Sequence, residues 1–105
     1  MKEHLAHFSI AGLTYYDVTE CFSKLKIGTK LSLQLEETNK YDPRAVAIYY
    51  KNHKLGFVPR SENRIIYKLL KVQLNEQLTC RIQKIDATQH PEHQIQVVIH
   101  LHSLK

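Results

Sequence analysis

Apolar side chains fall on every second position in one short run after another: Ala6, Phe8, Ile10; Leu31, Leu33, Leu35; Val46, Ile48, Tyr50; and Ile95, Val97, Ile99, Leu101. Period two makes a strand with one wet face, and strands this short cannot bury a core singly. The chain must therefore gather them into a small antiparallel sheet that curls on itself. The first strand is expected from His4 to Gly12. The second ends in Thr38-Asn39-Lys40-Tyr41-Asp42-Pro43, whose Asn, Asp and Pro reverse the chain. A tight turn at Lys51-Asn52-His53 leads to a short fourth strand, Lys54 to Val58, which Pro59 ends. The last two strands, Gln77 to Ile85 and Gln94 to Leu101, flank a polar loop from Asp86 to His93.

Two stretches change period. Val18, Cys21, Phe22 and Leu25 predict a short helix capped by Asp17 and closed before Gly28. Ile65, Ile66, Leu69 and Leu70 predict a second, capped by Ser61. The order β-α-β-β-β-α-β-β favours a mainly β architecture: a small, OB-like, partly open antiparallel barrel of about six strands with two short helices. With 105 residues, 43% of them hydrophobic, there is material for one core, so residues 1–105 are expected to form a single domain. No apolar run reaches the roughly 20 residues of a membrane span and no signal-peptide core follows Met1, so a cytoplasmic location is expected. Cys21 and Cys80, among apolar neighbours, are then expected to be buried free thiols.

The formal net charge is +5, and its distribution says more than its size. Between Lys51 and Lys71 stand Lys51, Lys54, Arg60, Arg64, Lys68 and Lys71 against Glu62 alone; the remainder holds nine charges of each sign. Arg64, Lys68 and Lys71 span about 60° of one helix face, opposite the apolar stripe. With Lys54 they make an auxiliary basic face that would draw a polyanion to one side of the molecule. A plain solvated face explains the same residues.

Tyrosines beside turns, Tyr15 and Tyr16 after Gly12 and Tyr41 within the Asn39–Pro43 turn, are poorly explained by core packing. One ring of the adjacent pair is expected to plug a barrel end; exposed rings offer sequence-tolerant platforms for unpaired bases. Gly12-Leu13-Thr14-Tyr15-Tyr16, then Glu36-x-x-Asn39-x-Tyr41-Asp42-x-x-Ala45-Val46, then Leu55-Gly56-Phe57-Val58-Pro59-Arg60, in this order and over essentially the whole chain, resemble the HIRAN domain family. Members occur fused to helicase-like DNA-repair and remodelling proteins and as small bacterial proteins, and this chain resembles the free-standing bacterial type.

The resemblance implies an OB-like barrel that binds single-stranded DNA at a free 3′ end. It implies that Tyr15 and Tyr41 hold terminal bases, that Asp42 accepts a hydrogen bond from the 3′-hydroxyl, that Arg60 meets phosphate, and that Phe57 fills an aromatic position. Tyr16 and Asn39 match motif positions that a structural role also explains. Two departures stand out: Thr14 occupies the place of an Arg in the end-binding helicase-like members, and Glu37 replaces a common Pro.

The chemistry of Asp42 can be argued without the family. A carboxylate among phosphates is repelled unless it finds a donor, and a free 3′-OH is a donor only a strand end supplies. The competing reading is an Asx-turn, in which Asp42 bonds the backbone near Pro43 and Arg44. RNA stays open as a partner, since stacking ignores the sugar. So does a protein-interaction or self-association surface built from Tyr15, Tyr41 and Phe57.

No metal or cofactor is expected. His100 and His102 share a strand side and His90 and His93 a loop, yet no Cys or carboxylate stands beside them at ligand spacing; His4 and His7, three apart on a strand, should face opposite ways. Glu36, Glu37 and Asp42 lack a nuclease-like arrangement. With no Gly-rich phosphate loop, no Gly-x-Ser-x-Gly and no Cys-His pair, the chain reads as a binding module and not an enzyme.

Overall fold

A computed structural model describes residues 1–104. Its elements are β1 (Lys2–Ser9), α1 (Val18–Cys21), β2 (Lys30–Leu35), β3 (Val46–Tyr50), β4 (His53–Phe57), α2 (Asn63–Lys71), β5 (Leu78–Ile85) and β6 (Ile95–His102), with single 3-10 turns between several of them. The expected order is the observed one. All six strands join one antiparallel sheet in the order β1-β6-β5-β2-β3-β4.

The sheet coils without closing. Its ends are drawn together at one bridge, where Ala11 and Phe57 exchange both backbone hydrogen bonds at 2.9 Å. Gly56 permits that approach. Its φ is +154°, and a Cβ there would lie 2.3 Å from the Ala11 carbonyl oxygen and 2.7 Å from Ile10 Cγ2. Inside the coil the alternating residues meet: Ile10, Ile48, Leu55, Ile82, Ile95, Val97 and Ile99 are all at most 1% exposed. α2 covers the sheet with Ile66 and Leu70.

Local expectations fail at four places, each for a physical reason. Asp17 occupies the N-cap of α1 without capping it, because its carboxylate instead accepts from the Lys54 N–H at 3.2 Å, tying the α1 entrance to β4. Ser61 is one residue too early to cap α2, whose N-cap position is Glu62 and which no side chain caps. The helix is accordingly rotated so that Asn63, Ile66 and Leu70 face inward and Ile65 lies 47% exposed. His4 and His7 share a side: a register shift between His4 and Ala6 inserts one residue into β1 and reverses the alternation, bringing His4 Nε2 to 2.9 Å from His7 Nδ1. No group of three metal-ligating side chains forms among the described residues.

Finally, neither Tyr15 nor Tyr16 plugs the barrel. The buried side chain of that segment is Leu13, 0% exposed. Cys21 and Cys80 are buried free thiols, as expected, and burial pushes the Cys80 thiol up to about 12. No helix among the described residues is long and apolar enough to cross a membrane.

Candidate nucleic-acid interface

The turn after β2 is built by Asn39. Its Oδ1 accepts from the backbone N–H groups of Tyr41 and Asp42 at 2.8 and 3.0 Å, which curls the chain and leaves the Tyr41 ring 84% exposed. Its amide donates to Glu36 Oε1 at 3.0 Å. Glu36 Oε2 in turn accepts from Lys54 Nζ at 2.7 Å, and that ammonium rests over two rings, 4.6 Å from the Tyr16 centroid and 4.3 Å from that of Phe57. Burial pushes the Glu36 carboxyl up, but the hydrogen bonds from Lys54 and Asn39 outweigh it and hold the group below its ordinary value. Tyr16 and Phe57 meet edge to face, centroids 5.7 Å apart. A continuous chain of contacts thus links the turn to the aromatic pair.

Between them lies a concave hollow of about 230 Å³, lined by Tyr16, Asn39, Tyr41, Asp42, Phe57 and Arg60 together with Ala11, Pro59 and their neighbours. Six of the seven residues singled out by sequence therefore converge, from three separate segments. Tyr15 does not line it: 81% exposed, it flanks Gly12 beside Tyr16. Lys54 is also misplaced in the expectation, since it serves the aromatic pair and not the helix face. A larger hollow, about 320 Å³, opens where β2 and β5 part. It contains no aromatic ring and no excess of charge, so it offers nothing for a base or a phosphate.

Asp42 does form the Asx-turn: its Oδ1 accepts from the Arg44 N–H at 2.9 Å. Its Oδ2 accepts from Asn63 Nδ2 at 2.9 Å, while Arg60 Nε stands off at 3.7 Å and the Arg60 guanidinium donates to the Tyr41 carbonyl. A carboxylate offers about four acceptor positions, so two hydrogen bonds leave it able to take more. Its side chain keeps 18% of its surface accessible.

Asn63, 2% exposed, escaped the sequence reading and holds the site to α2 by donating also to the Arg44 carbonyl at 3.0 Å. Its spacing of three and seven from Ile66 and Leu70, a polar residue at a core position, was the available signal. Glu37 likewise is no loose substitute for Pro: Tyr67 and Lys71 both donate to it, so Lys71 is paired, while Arg64 and Lys68 remain exposed on α2.

The HIRAN domain model matches residues 5–102. The chain belongs to the HIRAN domain family. A crystal structure of a protein from Lactobacillus plantarum superposes on this HIRAN domain with a TM-score of 0.77 at 23% identity, covering 96% of this chain and 95% of that one. The crystal structure of the HIRAN domain of human HLTF superposes with a TM-score of 0.65 at 15% identity, covering 95% and 76%. At such identities the likeness shows the fold, an OB-like one. No curated protein matches the sequence.

Proposed function

We propose that this HIRAN domain binds single-stranded DNA at a free 3′-hydroxyl end, with the terminal nucleotide in the hollow between Tyr16, Phe57 and Tyr41 and with Asp42 accepting from the hydroxyl. Family membership supports the broader part, nucleic-acid binding by a non-catalytic module. The observation that carries the finer part is a half-buried carboxylate, oriented by neutral donors, on the floor of an aromatic-rimmed hollow. Tyr41 supplies the exposed stacking surface; Tyr16 and Phe57 form a wall stiffened by Lys54. Tyr15 is a rim residue for the next base outward.

The experiment compares Asp42→Asn with wild type on oligonucleotides ending in a 3′-OH or a 3′-phosphate. Wild type should favour the hydroxyl, since the phosphate meets a fixed negative charge. The variant should lose about 1–3 kcal/mol for the hydroxyl end and most of the discrimination. An equal ratio in both proteins makes Asp42 a turn residue and sinks the mechanism. Binding that is insensitive to salt would instead favour a protein partner for the same rings.

A further inference from the structure

In β1, the register shift between His4 and Ala6 places two exposed imidazoles together, with His4 Nε2 at 2.9 Å from His7 Nδ1. The geometry points to this pair as a binding site for a divalent transition-metal ion, copper or nickel in preference to zinc, with His4 Nε2 and His7 Nδ1 as its protein ligands. Neither residue lines the aromatic hollow, so the site stands apart from whatever binds there.

Three positions apart on a regular strand, two imidazoles point to opposite sides and cannot share an ion. The inserted residue removes that obstacle. The separation of the nitrogens then selects the metal. With metal–nitrogen bonds of about 2.0–2.1 Å, two nitrogens at a right angle stand about 2.9 Å apart, and at the wider tetrahedral angle about 3.3 Å. The observed 2.9 Å is the right-angle spacing, which suits the tetragonal preference of Cu²⁺ and Ni²⁺ better than the tetrahedral one of Zn²⁺. The hydrogen bond that joins the two nitrogens is no barrier. The ring that donates can carry its proton on its other nitrogen instead, which leaves a lone pair on each facing atom and releases no proton from neutral rings. Both rings are exposed and can turn those lone pairs toward a shared ion. No carboxylate joins the pair in a group of three among the described residues, so oxygen-seeking Mg²⁺ and Ca²⁺ find no site there. Two protein ligands leave the remaining positions to water, which makes the site open and exchangeable and not a structural one. Other histidines are engaged elsewhere: His90 Nδ1 accepts from the Glu92 N–H at 3.2 Å, and His102 Nε2 lies 2.8 Å from Thr79 Oγ1.

The test titrates the whole chain, produced without an affinity tag, with Cu²⁺, Ni²⁺ and Zn²⁺ by calorimetry, and records the electron paramagnetic resonance spectrum of the copper form. Wild type should take up a single copper ion per chain, bind nickel more tightly than zinc, and melt higher as copper is added, because the folded chain alone presents the pair. The copper spectrum should carry the hyperfine signature of imidazole nitrogen. His4→Gln and His7→Asn each remove one ligand, so each should weaken copper binding by about tenfold or more. Without metal, both variants should melt with wild type, since the two rings are exposed. The double change His90→Gln with His93→Gln removes a neighbouring pair that lacks this contact and should leave copper binding as it was. Copper uptake that survives in the His4→Gln and His7→Asn proteins, an equal loss in the His90 and His93 double variant, or zinc bound more tightly than nickel overturns the proposal.

Discussion

At the residue scale, the motif letters that looked like a signature turn out to be solutions to local physics. Gly56 stands in Leu-Gly-Phe-Val-Pro-Arg because the backbone of Ala11 passes where a Cβ would be. Gly56→Ala should therefore cost about 3 kcal/mol in denaturant unfolding, combining overpacking with an unfavourable φ; a cost under 1 kcal/mol would mean the bridge to Ala11 is dispensable. Asn39 was legible as a turn residue, since Asn before a bend bonds its own backbone. What sequence could not show is the second half of its amide reaching Glu36, nor Glu36 reaching Lys54, because those partners lie in different strands. That chain has a pH signature. The folded Glu36 carboxyl lies below its ordinary value of 4.5, so the stability it contributes is present above that value and is lost as pH falls through the folded pKa. Glu36→Gln should accordingly melt lower than wild type at neutral pH, and the two melting curves should converge in acid.

At the element scale, strand existence and order were readable because period two survives any tertiary context, whereas phase was not. The extra residue in β1 turns His4 and His7 to one side, and nothing in Lys2–Ser9 announces a bulge. In α2 the apolar pair Ile65-Ile66 leaves the phase ambiguous, and it is settled by Asn63, which the site needs inward to hold Asp42. The basic stripe follows from that phase. Lys71 is taken up by Glu37, a pair exposed on both sides and of little energetic consequence, so Arg64 and Lys68 carry the free charge. Reversing both to Glu should slow association with single strands roughly threefold or more at low salt, leaving the preference for a 3′-OH end unchanged. Stopped-flow association at two salt concentrations checks it; loss of end preference would place the stripe inside the site.

At the scale of the whole molecule, the sheet is unevenly joined. β1, β6 and β5 pair along most of their length, and β2, β3 and β4 form a second sequence of pairs, but β2 meets β5 only at Lys30–Arg81 and Leu31–Cys80, extended by the backbone bonds of Gly28 and Thr29 to Ile82. The far ends are bridged by the backbone of Ala11 and Phe57. Sequence predicted a partly open barrel but could not locate the opening, since pairing between distant strands depends on how the whole sheet twists. The seam should be the first place to part. Cys80 sits on it, 1% exposed, with a thiol pushed up to about 12 by burial, so the closed protein presents almost no thiolate and alkylation must proceed through opened states. Cys21 is equally buried, but it lies in α1 away from the seam. Under native conditions Cys80 should therefore react through an opening that costs less than global unfolding, and Cys21 more slowly. The hollow draws on Ala11, Tyr16, the turn after β2, Phe57 of β4 and the Pro59–Arg60 segment that follows it, none of which the seam divides. Saturating with a 3′-OH strand should then suppress Cys21 labelling more than Cys80 labelling, because only openings that dismantle the site must first expel the ligand. Equal labelling rates for the two thiols, both tracking global stability, would show that the halves separate only when the entire sheet does.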